Sequence, residues 1–277
     1  MKIVVITGST RGIGFGLADS FLEMGCSVVI SGRTPAGVEA ARITLHEQHD
    51  SERILGQACD VTQPAQLQDL WTKTIERFQR VDIWINNAGI TNRLAEFWEI
   101  DPEEVGNVVD TNLLGSMHGA RVALRGMLAQ GYGALYNMEG MGSTGRKQGG
   151  LTVYGTTKAA IRYFTDALIV ETEDTPILVG SLSPGMVPTD LVIEQFEDKP
   201  ELWQKSKRVL GIIMDDVDTV TPWLARKVLE NEEHGARIAW LTRRKMAGRF
   251  ISAPFTRGRE LGDLDDYKGS DSRSRRD

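Results

Sequence analysis

The sequence predicts an α/β fold, one doubly wound parallel sheet of about seven strands with helices on both faces. Three observations carry that expectation. Short apolar runs alternate with longer amphipathic stretches from residue 2 to residue 242, the pattern of successive βαβ units. A glycine cluster (Gly8, Gly12, Gly14) directly follows the first apolar run and opens the first amphipathic one. The chain has 277 residues, 41% of them hydrophobic, so one core can use nearly all of it.

The elements follow in order. The first strand, residues 2–7, is rich in Val and Ile and too short for a helix. The helix after it starts in the glycine cluster and carries Leu17 and Ala18. Strands are then expected at 27–31, 53–58, 82–86, 133–138, 176–183 and 236–242, with about six helices filling the intervals. Asp101-Pro102-Glu103-Glu104 supplies one helix with an N-cap, a first-turn proline and first-turn acids. Thr221-Pro222 is expected to start another in the same way. Residues 189–214 insert a mixed polar and apolar stretch, read as a lid over a substrate. Residues 256–277 are polar and aperiodic, so a single domain of residues 1–255 is expected to end in a flexible tail.

The bulk composition excludes several function classes. A net charge of -6 and a pI near 5.4 argue against nucleic acid or an anionic membrane as the main partner. No apolar stretch approaches the ~20 residues of a membrane span. Cys26 and Cys59 sit in apolar runs and read as core thiols of a reducing compartment. With a strand starting at Lys2, no leader is expected ahead of the fold, and the expected location is the cytoplasm. The cysteines and histidines lack metal-ligand spacing, so no metal is expected.

The glycine loop reads Thr7-Gly8-Ser9-Thr10-Arg11-Gly12-Ile13-Gly14. Its glycines permit a tight turn and close approach of backbone to a pyrophosphate at a helix N-terminus, which makes the fold Rossmann-type. The end of the second strand selects the cofactor. An acid there would bind the ribose hydroxyls of NADH, but this chain has Gly32 and then Arg33. With Arg11 inside the loop, two guanidiniums are available to a 2′-phosphate, so NADPH is expected over NADH. Further along, Tyr154 and Lys158 are four residues apart and share one face of a helix. An ammonium beside a phenol lowers the phenol's pKa from about 10, typically by ~1–3 units. Such a phenol exchanges an alcohol proton while a cofactor carries hydride.

Six segments together resemble the classical short-chain dehydrogenase/reductase family over roughly residues 2–242. They are Thr7-Gly8-x3-Gly12-x-Gly14, Asp60-Val61, Asn86-Asn87-Ala88-Gly89, Asn112 in Asp110–Gly115, Tyr154-x3-Lys158 and Pro184-Gly185-x3-Thr189. The resemblance implies that Gly8, Ser9, Thr10, Arg11, Gly12, Ile13, Gly14 and Arg33 hold the phosphates. Asp60 and Val61 would flank the adenine, and Asn87, Ala88 and Gly89 would lie beside the cofactor. Pro184, Gly185, Val187 and Thr189 would hold the carboxamide. It further implies that Lys158 binds the nicotinamide ribose, that Asn112 holds a water in a relay with it, and that Tyr154 protonates the developing alkoxide. A homodimer or homotetramer and a small-molecule carbonyl substrate are implied as well.

One family feature is displaced. The catalytic serine expected at the end of the fifth strand is absent, and Glu139 and Gly140 stand there. Ser143 is the expected replacement if its glycine-rich loop swings it inward, with Thr144 next and a site lacking serine as the third arrangement. The other reading of Ser143 is a turn hydroxyl bonding its own backbone, and of Glu139 a carboxylate holding the loop. Asn137–Ser143, with Val153–Lys158 and Ser183–Asp190, is similar to the chlorophyll b reductase branch, whose members reduce a tetrapyrrole formyl group with NADPH. Leu94, Phe97, Trp98, Met186, Val187, Leu191, Phe196, Trp203 and Ile212 are candidate walls for so large a ligand, or ordinary core. The expected activity is NADPH-dependent carbonyl reduction. The competing readings are a non-catalytic NADPH-binding sensor or scaffold, and a nucleotide-sugar epimerase or dehydratase for which the chain lacks room.

Overall fold

A computed structural model describes residues 1–196, 199–253 and 261. Seven strands, β1 (Ile3–Ile6), β2 (Ser27–Gly32), β3 (Ile54–Ala58), β4 (Ile83–Asn86), β5 (Gly133–Met138), β6 (Ile177–Ser183) and β7 (Arg237–Ala239), form one sheet. Their order is β3-β2-β1-β4-β5-β6-β7 and every pairing is parallel. Alternate residues of each strand face opposite layers. Val4, Ile6, Val28 and Ile30 enter one core with α1 (Gly12–Glu23), α2 (Pro35–His46) and α9 (Val217–Glu230). Val5, Val29, Trp84 and Leu135 enter the other with α3 (Pro64–Phe78), α5 (Gly115–Gln130) and α6 (Thr152–Glu171). Strand order reverses between β1 and β4, and the cleft opens where the chain leaves the carboxyl ends of those strands.

The helices also show where local signals lose to packing. Asp101 caps α4 (Pro102–Val109) as expected, its Oδ1 accepting from the Glu103 amide at 2.8 Å. Thr221-Pro222 starts nothing. α9 begins at Val217 and Pro222 lies inside it, because Val217, Val220, Leu224 and Val228 bury one stripe against α1. That burial outweighs the missing amide of one proline. The last strand is shorter than expected, ending at Ala239, because the Thr242 hydroxyl caps α10 (Arg243–Ser252) through the Lys245 amide.

The 189–214 insertion forms α7 (Asp190–Ile193), a 3-10 turn and α8 (Pro200–Ile213). It has a small core of its own with Leu94, Leu151, Phe196, Trp203, Leu210 and Ile213. Phe196 meets Trp203 edge-on at 5.3 Å. α10 is tied beneath α8 by Arg249, which donates to both Asp215 carboxylate oxygens at 2.9 and 2.7 Å. The tail expected from residue 256 lies outside the described residues except Leu261, which is buried in the lid core. Among the described residues no helix is long and apolar enough to cross a membrane.

Candidate active site

The glycine loop is shaped by contacts too close for side chains. Gly8 and Gly12 have φ of +62° and +58°, and a Cβ on Gly14 would stand 2.3 Å from the Gly8 carbonyl oxygen. Asn87 fixes the loop by donating to the Thr7 and Gly8 carbonyls at 2.9 and 2.8 Å. The Thr7 hydroxyl accepts from the Asn87 and Ala88 amides. Arg11, the N-cap of α1, makes no side-chain cap bond, which leaves the first-turn amides facing the cleft as an anion cradle. Gly32 packs so closely under Thr10 that a Cβ would stand 2.6 Å from its methyl group, and Arg33 is exposed on the cleft wall. Arg11 is turned toward Asp190 (2.9 Å) and Glu194 (3.7 Å) of the lid.

Not every expected cofactor contact is on the wall. Val61, Gly89, Pro184, Gly185, Val187 and Thr189 line the cleft. Ser9 lies beneath, donating to the Ile6 carbonyl and accepting from the Ser31 amide. The Asp60 carboxylate is turned back to the Thr62 amide and hydroxyl, while its neighbours Cys59 and Val61 line the cleft.

At the centre, Tyr154 and Lys158 share one face of α6, with the ammonium 5.8 Å from the phenol ring centroid. Lys158 Nζ donates to the Met138 carbonyl at 3.1 Å. Burial pushes the phenol up to about 12, with no offset from the lysine, and holds the ammonium down at about 8 against the charge of Glu139. The downward shift expected for the phenol is therefore not a property of the protein alone, since both groups are desolvated and the ammonium is directed at a carbonyl. Asn112 is buried in a π-helical turn, Asp110–Leu114, between α4 and α5. The extra residue of that turn points its amide at Ile90, whose N–H and C=O it bonds at 2.8 and 2.9 Å, and at Thr157. A Cβ on Gly89 would lie 3.3 Å from Asn112 Oδ1 and 3.6 Å from Lys158 Nζ, so these groups converge on one spot.

The cleft is a single cavity of about 950 Å³ running from the glycine loop past Tyr154 to the lid. Leu94, Met186, Leu191 and Phe196 line it as expected. Trp203 and Ile212 belong to the lid core behind the wall, and Phe97 and Trp98 are exposed outside it.

A family model described as short chain dehydrogenase matches residues 2–200. The chain belongs to the short-chain dehydrogenase family. It is 32% identical over 272 residues to the probable chlorophyll(ide) b reductase NYC1 of Oryza sativa subsp. japonica, covering 92% of this chain and 53% of that protein. It is 34% identical over 230 residues to the chlorophyll(ide) b reductase NOL of Arabidopsis thaliana, covering 81% and 64%. The chain thus spans between about half and two thirds of these relatives, both described as chloroplastic. Among solved structures, a 3-ketoacyl-(acyl-carrier-protein) reductase from Brucella melitensis, complexed with NADH, shares the fold at a TM-score of 0.77 and 24% identity, covering 88% of this chain and 98% of that one.

As a short-chain dehydrogenase the chain is unusual at the end of β5. A Cβ on Gly140 would stand 2.4 Å from the Tyr154 hydroxyl oxygen. The phenol occupies the room where the family serine would begin. Ser143 does not line the cleft. Its hydroxyl is buried, donating to the Lys158 carbonyl and accepting from the Gly140 amide, both at 3.1 Å. The glycine-rich loop thus carries Ser143 onto the α6 backbone, away from the cavity. Glu139 is 2% exposed and bonds Ser181, Arg162 and Arg237, the last at 2.6 Å. Although burial raises its pKa, the arginines and Ser181 hold it below the usual carboxylate range. Its partners lie on α6, β6 and β7, so it ties the end of β5 to those elements instead of making the loop hydrogen bonds expected of it. Sequence alone does not show this cluster, because its partners are 23, 42 and 98 positions away.

Proposed function

We propose that the chain is an NADPH-dependent reductase of a bulky carbonyl, with the formyl group of chlorophyll(ide) b as the first candidate substrate. The observation that carries this reading is the position of Tyr154 and Lys158 midway along one cavity, between the glycine cradle and an apolar lid. The cradle fits a dinucleotide. The first-turn amides of α1 would hold its pyrophosphate, and Arg33, with Arg11 released from Asp190, its 2′-phosphate. Asp60 and Val61 would stand by the adenine, and Pro184, Gly185, Val187 and Thr189 by the carboxamide. When bound, the cofactor supplies hydride to the carbonyl carbon. Lys158 binds and orients at the ribose, Asn112 holds the neighbouring backbone, and Tyr154 gives its hydroxyl proton to the carbonyl oxygen. Ser143 serves this chemistry by fixing the loop that carries Gly140.

The chain spans only part of its named relatives, so substrate and partners are part of the proposal. Residues 1–255 would act as one NADP-binding domain, and a homodimer or homotetramer would use α5 and α6, where Leu128, Tyr163 and Val170 are exposed. The two free, buried cysteines fit a reducing compartment, the cytoplasm in this reading. The displaced serine favours a second reading, a non-catalytic NADPH sensor.

NADPH oxidation by purified protein, against carbonyls from small aliphatic aldehydes to chlorophyllide b, separates the two. Turnover of the macrocycle that falls at least ~100-fold in Tyr154→Phe supports the reductase. Tight NADPH binding without turnover of any carbonyl, unchanged by Tyr154→Phe, would favour the sensor.

A further inference from the structure

The peptide that joins Met138 to Glu139 lies against Lys158. Its carbonyl accepts from Lys158 Nζ at 3.1 Å. Beyond Glu139, a Cβ on Gly140 would stand 3.1 Å from Lys158 Cγ. Glu139 therefore sits between two residues that approach the lysine. Arg162, one helical turn after Lys158 on α6, donates to Glu139 Oε1 at 2.9 Å. Alternation along β5 sends this side chain to the α6 layer, as it sends Asn137, whose amide donates to Thr165 of α6.

The carboxylate is also held from the sheet. Ser181 of β6 donates to it at 2.9 Å. Arg237, the register partner of Ser181 on β7, reaches across β6 and donates to both oxygens. Glu139 and Lys158 are both buried, so solvent screens the charge between them little. Of the other groups around the lysine, Asn112 and Gly89 carry no charge and Tyr154 keeps its proton near neutral pH. Among the described residues, Glu139 is the charge that acts on the ammonium and opposes the effect of burial. Glu139 and Asp166 balance Arg162 and Arg237. Deleting one charge of this cluster leaves one of the opposite sign uncompensated on the Lys158 side of the sheet.

We propose that Glu139, at the strand end where the family serine is expected, is a positioning residue that holds Lys158 as an ammonium at the centre of the cleft. It acts through the lysine and needs no contact with substrate or cofactor. This deepens the reductase reading, on which its consequence for cofactor binding rests.

The test compares Glu139→Gln with Arg237→Gln, which remove opposite charges from one cluster. Each breaks a buried ion pair and is expected to lower stability, so a purely fastening role moves the two together. Their effects on Lys158 have opposite signs. Without cofactor, urea unfolding of each protein is compared with that of the same protein carrying Lys158→Met, from about pH 7 to about pH 11. The pH at which the advantage of methionine begins to shrink marks proton release by the folded lysine, near its value of about 8 in the parent. Glu139→Gln is expected to lower that pH by roughly half a unit or more. Arg237→Gln raises it, since Arg162 and Ser181 keep Glu139 ionised, and Glu139→Asp, which retains the charge, moves it less than Glu139→Gln. A pH left in place by Glu139→Gln, or moved the same way by both variants, overturns the proposal. If Glu139→Gln does not fold, failure of Arg237→Gln to raise the pH overturns it alone. The pH above which NADPH affinity falls is expected to move in the same order. NADPH affinity that ignores pH, beside opposite shifts in unfolding, removes Lys158 from the ribose and leaves the hold of Glu139 on it standing.

Discussion

Tyr154 and Lys158 are buried together, and burial moves their proton affinities in opposite directions. The Lys158 value of about 8 lies below its ordinary 10.5. Between those values the unfolded chain holds a proton that the folded one has released, so this contribution to stability rises with pH. Below about pH 8 the buried ammonium is a net cost. The Tyr154 value lies above its ordinary 10.0, so its contribution is complete below pH 10 and is lost as pH climbs toward 12. Lys158→Met is therefore expected to stabilise the protein near neutral pH by on the order of 3 kcal/mol, from a shift of roughly 2.5 units at about 1.4 kcal/mol per pKa unit. The gain vanishes by about pH 10.5, and the variant is inactive. Urea unfolding at neutral and alkaline pH checks it, and a variant less stable than the parent near neutrality would refute the account. At this scale the sequence was readable wherever backbone geometry dictates residue type. Gly8 and Gly14 could be placed because only glycine fits. The partners of Glu139 could not, since no local rule joins residue 139 to residues 162, 181 and 237.

Elements were legible where burial periodicity and capping agree, as in β1 or α4, and misread where they compete. Pro222 reads as a start signal, yet the stripe from Val217 to Val228 sets the helix. Periodicity is equally blind to the extra residue in the π-helical turn that points Asn112 inward. The β5–α6 loop was ambiguous for another reason. Its direction depends on glycines at φ of +109° (Gly142) and +79° (Gly145), and a glycine permits either hand. Ser143→Ala gives this placement a measurable consequence. A hydroxyl that only ties the loop to α6 is worth about 1 kcal/mol of stability, and its removal lowers turnover less than ~10-fold. A hydroxyl in the reaction itself would cost ~10²–10⁴-fold. Steady-state kinetics with thermal unfolding of the same variant decide between them.

Across the whole molecule, the alternation of apolar runs foretold the doubly wound sheet, while its strand order and the depth and charge of the cleft emerge only once distant segments converge. An acidic chain that gathers arginines around one cavity should discriminate between dinucleotides by charge. NADPH at about 100 times its dissociation constant is expected to stabilise the fold by about 2.7 kcal/mol, a rise of a few degrees in Tm. NADH at the same concentration should give a clearly smaller rise. Indistinguishable shifts would remove Arg11 and Arg33 from cofactor selection.

The close approach of Gly140 to the Tyr154 hydroxyl bears on how such a site can change. Any side chain at 140 meets the phenol oxygen at 2.4 Å and the Lys158 stem at 3.1 Å. A serine there requires the Tyr154 phenol to shift aside. Position 140 and the seat of the phenol are therefore coupled, and a hydroxyl regained at 140 is expected to displace the oxygen on which the proposed chemistry depends.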